Sequence, residues 1–576
     1  MFTRTRIIFG LGLAAPALAI ALVGASPASA PTPAAPVMQQ VVEGIPVTSA
    51  EVRQACGACH PSDAEGRMSR ISYRRATPEN WELTVKRMLA LNDAPLTTEQ
   101  ARVVLKYLSD HHGLAPDEAK PVMFDAERRL IDFTYAGDTQ THNLCNQCHS
   151  MGRVLSERRT PEEWTLLIAM HRGVYPGIDG GSGGFRRGGG GGARGGDAGG
   201  ANAKMPMDLA TDHLSRAFPL MSTEWAAWSA ARAPMRLTGR WALSGHQPGL
   251  GPVYGEVTIE PQPGVADGFV TKTTFTYVTS GRTVIRSGRG IVYTGFQWRG
   301  RATESADGAD AWREVATISR DQNEIAGRWF TGFYAETGLD VTLRRVLPGV
   351  LVTGTDVPSL KTGTIGQTVR LYGANLPMKI APADVVLGAG VTVTRVVAST
   401  PTMLTVTVDV AGDARVGPRD VLVAGAMRPA ALVVYDTVDG IRITPRAGLA
   451  RVGGIVHPKM FQQFEAVAYH HGADGKAGTD DDLMLGMVDA TWSMEEYSAT
   501  FVEDDIKYVG ELSAAGLFTP NVDGTNPERS GNRNNIGDVW VTADYTPPGG
   551  VPVRGRAHLL VTAPIYMDWS STEVGK

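Results

Sequence analysis

The sequence has few cysteines, little net charge and no long apolar run beyond its first residues. It carries 4 cysteines in 576 residues, and its formal net charge is -4. So small a charge gives no reason to expect nucleic acid as a partner. No apolar stretch after the N-terminal one is long enough to cross a membrane. The hydrophobic fraction of 43% still lets each of three or four domains bury a core.

Residues 1–30 have the pattern of a secretory signal peptide. Arg4 and Arg6 precede an apolar run from Ile7 to Val23, and small residues ending at Ala30 follow it. Pro31 directly after Ala30 leaves cleavage after Ala25 as an alternative. An uncleaved membrane anchor is the other interpretation, although the run is close to the lower length for a span.

The cysteines lie in two copies of the motif C-x-x-C-H, which attaches c-type haem. They are Cys56 and Cys59 before His60, and Cys145 and Cys148 before His149. Two thiols at this spacing can add to the two vinyl groups of one porphyrin, and the adjoining histidine then reaches the iron as its proximal ligand. The pattern therefore predicts two covalently bound haems c.

Two other sites use paired cysteines, namely tetrahedral zinc and the thioredoxin-type redox motif. Neither explains a histidine directly after both pairs. Because every cysteine belongs to a haem motif, none is left to form a disulfide framework. Together with the signal peptide, this pattern indicates a bacterial periplasm.

The haem motifs belong to a duplicated helical unit, covering residues 48–113 and 138–233. A helix follows each motif, opened by Thr77-Pro-Glu-Asn-Trp81 in the first unit and Thr160-Pro-Glu-Glu-Trp164 in the second. A third helix is expected in each unit, opened by similar residues at Pro95–Glu99 and at Pro219–Glu224.

Alignment of the two tryptophans places Met88 and His171 at equivalent positions on one helix face. We therefore predict Met88 as the sixth ligand of the first haem iron and His171 as that of the second. Met170 points off this face. Other residues could serve instead, namely Met68, His111, His112, His142 and His213.

The predicted fold is a helical dihaem cytochrome c domain followed by three all-β domains, a barrel and then two immunoglobulin-like sandwiches. The helical domain spans residues 31–234 and contains a glycine-rich insertion at about 180–203. Period-two alternation predicts an antiparallel barrel over 235–348, in which Trp241 and Trp329 plug the core. An immunoglobulin-like sandwich is expected over 349–436 and a C-terminal sandwich over 437–576.

An acidic turn runs from Asp474 to Asp482 and carries four carboxylates. Oxygen ligands at such spacing can hold calcium, although the turn lacks the final glutamate of an EF-hand. A solvated acidic turn is the alternative interpretation.

The two haem motifs, the helical duplication and the order of the β domains resemble the α subunit of quinohaemoprotein amine dehydrogenase. The resemblance covers nearly the whole mature chain, and the glycine-rich insertion departs from it. It implies a periplasmic αβγ heterotrimer with a β-propeller subunit and a small subunit bearing a cysteine tryptophylquinone. Amines would be oxidised at that quinone, and electrons would pass through the haems to a soluble cupredoxin or cytochrome c.

Building a cysteine–tryptophan crosslink requires a free thiol, and every thiol here belongs to a haem motif. We therefore expect no amine-oxidising residue in this chain and assign it electron transfer. Two alternatives stay open. One is a dihaem peroxidase-like enzyme, which needs a displaceable sixth ligand, and the other is a free-standing dihaem carrier whose β domains bind a surface.

Overall fold

The computed structural model describes most of the chain in ten stretches and two single residues, His149 and Gly308. The stretches are 44–122, 137–145, 151–175, 178–179, 204–305, 311–331, 338–454, 458–497, 504–529 and 533–563. The predicted signal peptide at 1–30, Cys148 and the glycine-rich insertion at 180–203 lie outside them.

Short helices form the N-terminal part of the described chain. They are α1 Ala50–Cys56, α2 Pro78–Asn92, α3 Thr98–His111, α4 Pro116–Ala119, α5 Thr139–Cys145, α6 Met151–Leu155, α7 Pro161–Val174, α8 Pro206–Ala217 and α9 Thr223–Ala230. Proline at the first position suits α2 and α7, because the N–H that it lacks has no partner inside a helix. Among the described residues, no helix is long and apolar enough to cross a membrane.

The two helical units meet across a small antiparallel sheet of β1 Arg74–Ala76 and β2 Glu157–Arg159. Arg75 pairs with Arg158 at its centre. On either side the backbone N–H of Thr77 donates to the carbonyl of Ser156 at 3.2 Å, and that of Thr160 donates to Tyr73 at 3.2 Å. Matched bonds at equivalent residues indicate an approximate two-fold axis through this sheet.

A helix begins within Pro219–Glu224, as predicted, but it is not the counterpart of α3. The indole of Trp81 donates to the carbonyl of His112, the C-cap residue directly after α3, at 2.8 Å. The indole of Trp164 donates in the same way to the carbonyl of Phe218, the C-cap residue directly after α8, at 3.2 Å. The counterpart of α3 is therefore α8, and the helix that begins within Pro219–Glu224 is α9, one element later.

An eight-stranded closed antiparallel barrel follows the helices, and each strand pairs with its neighbours in the sequence. Its strands are β3 Gly239–Gln247, β4 Gly251–Pro261, β5 Gly268–Tyr277, β6 Thr283–Tyr293, β7 Gln297–Thr303, β8 Trp312–Ile318, β9 Glu324–Phe330 and β10 Gly338–Arg345. Alternate residues point inward and fill the barrel, as expected at this strand number.

Tryptophans occupy the barrel interior. Trp241 is fully buried beneath the guanidinium of Arg345, whose Cζ lies 4.4 Å from the ring centre. Trp298 fits only because its neighbour on β6 is glycine, since a Cβ on Gly290 would lie 2.2 Å from the indole. Trp329 is also buried in this core, as predicted.

Two four-stranded sheets enclose a single core in the next segment. Their strands are β11 Leu351–Thr355, β12 Ser359–Lys361, β13 Gln367–Ala374, β14 Val385–Val386, β15 Val391–Ser399, β16 Met403–Val410, β17 Gly417–Val423 and β18 Ala426–Tyr435. The immunoglobulin-like topology stays a prediction.

The last segment has three sheets around one core and the short helix α10 Asp505–Tyr508. Its strands are β19 Gly440–Thr444, β20 Ala447–Arg451, β21 Gln462–Gln463, β22 Glu465–His470, β23 Leu483–Met487, β24 Thr491–Glu496, β25 Gly510–Leu512, β26 Leu517–Pro520, β27 Gly537–Tyr545 and β28 Val553–Thr562.

The barrel contacts both the helical region and the later β segments. On one side the hydroxyl of Thr294 donates to the carbonyl of Ser109 at 2.7 Å, and the indole of Trp228 donates to the carbonyl of Thr294 at 2.8 Å. On another side the carboxylate of Glu465 lies 2.9 Å from Nε2 of His246. The barrel therefore acts as a scaffold that holds the helical units in place.

Candidate functional site

The first motif begins where α1 ends. Cys56 is half-buried against the hydrophobic core that contains Trp81 and Val85, and Cys59 is exposed. Nδ1 of the motif's histidine, His60, lies 2.9 Å from the backbone carbonyl of Ser69. Because a carbonyl only accepts, Nδ1 carries the proton and Nε2 keeps its lone pair. His60 therefore has the tautomer that a proximal iron ligand needs.

The second motif begins at the end of α5, and its histidine faces a second histidine. The rings of His149 and His171 have centroids 6.4 Å apart, with their planes at 65°. Two imidazoles bound to one metal, each through a bond of about 2 Å, place their ring centroids roughly 6 Å apart. The observed separation fits one haem iron between these rings.

His171 also has the tautomer that this role requires. Its Nδ1 lies 2.8 Å from the carbonyl of Leu167, one turn earlier on α7. Nδ1 is therefore the donor, and Nε2 is left for iron, as in His60. The residues of the second unit thus fit a haem with two histidine ligands.

The position equivalent to His171 on α2 is Met88. It is half-buried, two turns beyond the buried Trp81 on the same helix, and its sulfur lies 3.8 Å from Nδ2 of Asn92. The hydrophobic core that Cys56 contacts takes in Leu89 of this helix and not Met88, so Met88 stays a prediction.

Four family models match this chain, and together they cover most of its length. Residues 47–187 match the family model described as "Quinohemoprotein amine dehydrogenase A, alpha subunit, haem binding". The models of alpha subunit domains II, III and IV of the same protein match residues 234–346, 357–436 and 441–574. The chain belongs to the quinohemoprotein amine dehydrogenase alpha subunit family. It has a haem-binding domain followed by three β domains, and the family is that of an amine-oxidising oxidoreductase complex.

Comparisons with curated proteins and with solved structures add little to this family assignment. No curated protein matches. A redesigned β-barrel is 17% identical over 19% of this chain and 92% of its own, with a TM-score of 0.17. A mouse clustered protocadherin fragment is 11% identical over 44% of this chain and 76% of its own, with a TM-score of 0.16. A mixed-linkage glucan-binding protein from Bacteroides ovatus is 10% identical over 58% and 68%, with a TM-score of 0.18. Scores this low do not assign a fold.

The other residues considered as distal ligands in this alpha subunit lie in varied surroundings. Met68 is fully buried in the core of the first unit, and Met170 is 40% exposed on α7. His111 stacks on Tyr107 with centroids 4.5 Å apart, and His213 packs on Phe218 at 6.4 Å. For His142, an Asn143 oxygen lies 3.4 Å from Nδ1.

His112 is the strongest of these rivals. It is fully buried, and neither ring nitrogen has a hydrogen-bond partner. Burial, and after it the neighbouring His111, lowers the pKa of His112 to about 3, so the ring is neutral at pH 7. Its ring packs edge-on against Trp81, 6.3 Å between centroids. The residue of the second unit equivalent to His112 is Phe218, which is consistent with a structural core role for His112.

The acidic turn uses its carboxylates internally. Asp481 accepts from the backbone N–H of Ala473 at 2.6 Å, and Asp482 accepts from that of Gly478 at 2.7 Å and also contacts Arg442. Among the described residues, no group of three or more histidine, cysteine, aspartate or glutamate side chains could hold a metal ion. The calcium site at Asp474–Asp482 gains no support from this geometry.

Sequence reasoning missed a buried ionic cluster between the two units. It is centred on the arginines that precede the threonine of each tryptophan helix, Arg74 and Arg75 in one unit and Arg158 and Arg159 in the other. Paired arginines at almost the same place in both repeats were visible in the sequence. Their glutamate partners were not, because those depend on how the units pack.

Proposed function

We propose that this chain is the electron-carrying subunit of a periplasmic quinohaemoprotein amine dehydrogenase. Electrons would come from a tryptophylquinone on a small partner subunit and leave through two covalently bound haems c to a soluble cupredoxin or cytochrome c. A β-propeller chain would complete an αβγ heterotrimer. Bound haem supplies reversible one-electron chemistry, and the residues of this chain hold and orient it.

The observation that carries this proposal is the facing pair His149 and His171, 6.4 Å between ring centroids. A pair at this separation suits a six-coordinate iron, which transfers electrons without offering an open site to substrate. A peroxidase needs one displaceable ligand, so this geometry favours electron transfer over peroxide chemistry in the second unit.

The cysteine count supports the division of labour. All 4 cysteines belong to the two haem motifs, so no thiol is left for a tryptophylquinone crosslink. The amine-oxidising site would therefore lie on another subunit. The barrel contacts at Ser109, Thr294 and Trp228 support a scaffold that fixes the helical region beside such a partner.

Ligand identity suggests a direction of electron flow. Methionine–histidine ligation raises the reduction potential of a haem relative to two histidines. If Met88 completes the first haem, electrons would enter at the His149/His171 haem and leave from the His60/Met88 haem.

Purification from the native source tests the proposal. A propeller chain and a small crosslinked chain should copurify with this subunit, and a primary amine should reduce both haems in the complex. The isolated subunit should show no haem reduction with amine. Turnover of peroxide or binding of cyanide by the isolated subunit would instead support the peroxidase-like alternative. Two inert six-coordinate haems without partner chains would support the free-standing carrier.

A further inference from the structure

A buried ionic cluster joins the two helical units, and we call it the interface network. Its members are Arg74, Arg75, Glu118, Glu157, Arg158 and Arg159. Charges are rarely buried without partners, because desolvation is costly. The burial of six charged side chains at this interface therefore calls for a functional reason.

Glu157 links the network across the two units. Its Oε1 accepts from Nη2 of Arg74 at 2.5 Å, and its Oε2 lies 2.6 Å from Nη2 of Arg159. Burial opposes ionisation, but Arg159 and Arg74 hold the pKa of Glu157 below its usual value. The side chain is therefore a carboxylate at neutral pH, and one negative charge is shared by two guanidiniums.

Each of these guanidiniums lies over the tryptophan of a different unit. Cζ of Arg74 is 4.7 Å from the ring centre of Trp81, and Cζ of Arg159 is 5.7 Å from that of Trp164. Two turns separate each tryptophan from the predicted ligand on its helix, roughly 10 Å along the axis. Glu157 is thus linked, through one guanidinium each, to the tryptophans of both helices that carry the predicted distal ligands.

The network carries more positive than negative charge. It contains four arginines and two glutamates, and the adjoining pair of Glu163 and Arg70, 3.1 Å apart, leaves that excess unchanged. Ferric haem has one more positive charge than ferrous haem, so nearby cations favour the ferrous state. Burial keeps such interactions strong, because little water screens them.

We propose that the negative charge of Glu157 lowers the reduction potentials of both haems together. The inference rests on the proposed function, because it requires two redox-active haems in this chain. Its charge offsets part of the arginine excess felt at both sites. Neutralising it exposes both irons to one additional unit of net positive charge.

Spectroelectrochemical titration of the full-length dihaem protein tests this role with Glu157→Gln. Glutamine keeps a hydrogen-bond acceptor and removes the charge. Both midpoint potentials should shift upward, while the ligation spectrum of each haem stays unchanged. Glu162→Gln is the matched control, because it removes an acid from the exposed start of α7. A shift at only one haem, or one no larger than the control shift, overturns the proposal.

Arg74→Gln provides a second test of opposite sign. It removes a positive charge, so both potentials should fall, and the potential of the first haem should fall most. A packing defect would not shift the potentials in opposite directions in the two variants. If Glu157→Gln does not retain both haems, Arg74→Gln decides alone, and an upward shift or none contradicts the proposal. Absence of covalent haem from the wild-type protein would instead contradict the proposed function, so the two failures are distinguishable.

Discussion

The tryptophan helices of the two units, α2 and α7, both begin at threonine and proline, and each buries its tryptophan. The position predicted to supply the distal haem ligand differs, with Met88 in the first unit and His171 in the second. The surroundings also differ. At the start of α2, Glu79 is buried against Arg299 of the barrel, whereas the equivalent residue on α7, Glu162, is exposed.

This difference shows how a duplicated unit acquires two roles. The shared elements, namely the tryptophan bonds and the central sheet, fix where a ligand stands on its helix. The residues that differ are the predicted distal ligands, Met88 and His171, and the glutamates that open the two helices. Through Glu79, only the tryptophan helix of the first unit pairs with Arg299 of the barrel, and the second unit carries the predicted insertion at 180–203.

Exchange of the predicted ligands should give the largest effect, and its failure would show that the two units do not differ in their distal ligands. His171→Met should raise the potential of the second haem, because methionine ligation favours ferrous iron. Met88→His should lower that of the first. Redox titration combined with absorption and electron paramagnetic resonance spectra would assign each change to its haem. An unchanged first-haem spectrum in Met88→His would exclude Met88 and direct attention to His112.

Neutralising Glu118 should weaken the junction between the units. Glu118 is bound by the equivalent residues Arg75, at 2.7 Å, and Arg158, at 3.2 Å. Burial opposes ionisation, yet the two arginines lower the pKa of Glu118 from 4.5 to about 2. A depressed pKa in the folded state contributes stability above pH 4.5, and this contribution is lost as the pH falls to about 2.

The shift corresponds to roughly 3 kcal/mol at neutral pH. Glu118→Gln should lose stability of that order at pH 7 and lose much of its acid sensitivity between pH 4.5 and 2. Urea unfolding of the haem-loaded protein at both ends of this range measures the effect. Equal destabilisation of wild type and variant on acidification would contradict it.

The anchoring of the first unit can be tested at the equivalent pair Glu79 and Glu162. Burial opposes ionisation of Glu79, but Arg299 holds the pKa of Glu79 below its usual value. Glu79→Gln should therefore cost about 1.5–3 kcal/mol, as expected for a buried charge-assisted hydrogen bond. Glu162→Gln should change stability by less than about 0.5 kcal/mol. Denaturant unfolding monitored by tryptophan fluorescence compares the two, and equal effects would show that the Glu79–Arg299 pair does not anchor this unit.

Local spacing was enough to predict the haem motifs, the tryptophan helices and the equivalence of Met88 with His171. These features depend on residues within one helix or one turn. The facing of His149 and His171 agrees with that prediction, although the two residues come from different helical segments.

Features that depend on packing could not be predicted in this way. Glu79 and Arg299 are 220 residues apart, and nothing local indicates their contact. The third helix of the second unit was misassigned because Pro219–Glu224 resembles Pro95–Glu99 locally. Only the bond from Trp164 to Phe218 identifies α8 as the true counterpart.

The smallest expected difference concerns the threonines that begin the two tryptophan helices. Oγ1 of Thr160 accepts from the backbone N–H of Glu163 at 3.2 Å and caps α7. The hydroxyl of Thr77 makes no such cap, and its oxygen is buried without a hydrogen-bond partner. Thr160→Ala should therefore cost about 1 kcal/mol. Thr77→Ala should cost clearly less, because removing an unpaired buried hydroxyl relieves a desolvation penalty.

Thermal unfolding of the two alanine variants, compared with wild type at one pH and the same haem content, measures this difference. Valine at each position separates the hydroxyl from the methyl group that also packs there. Thr77→Val should match or exceed wild-type stability, and Thr160→Val should not. Equal losses in both units would mean that α2 and α7 begin in the same way, and that the asymmetry between the units is confined to their ligands and to the barrel contact.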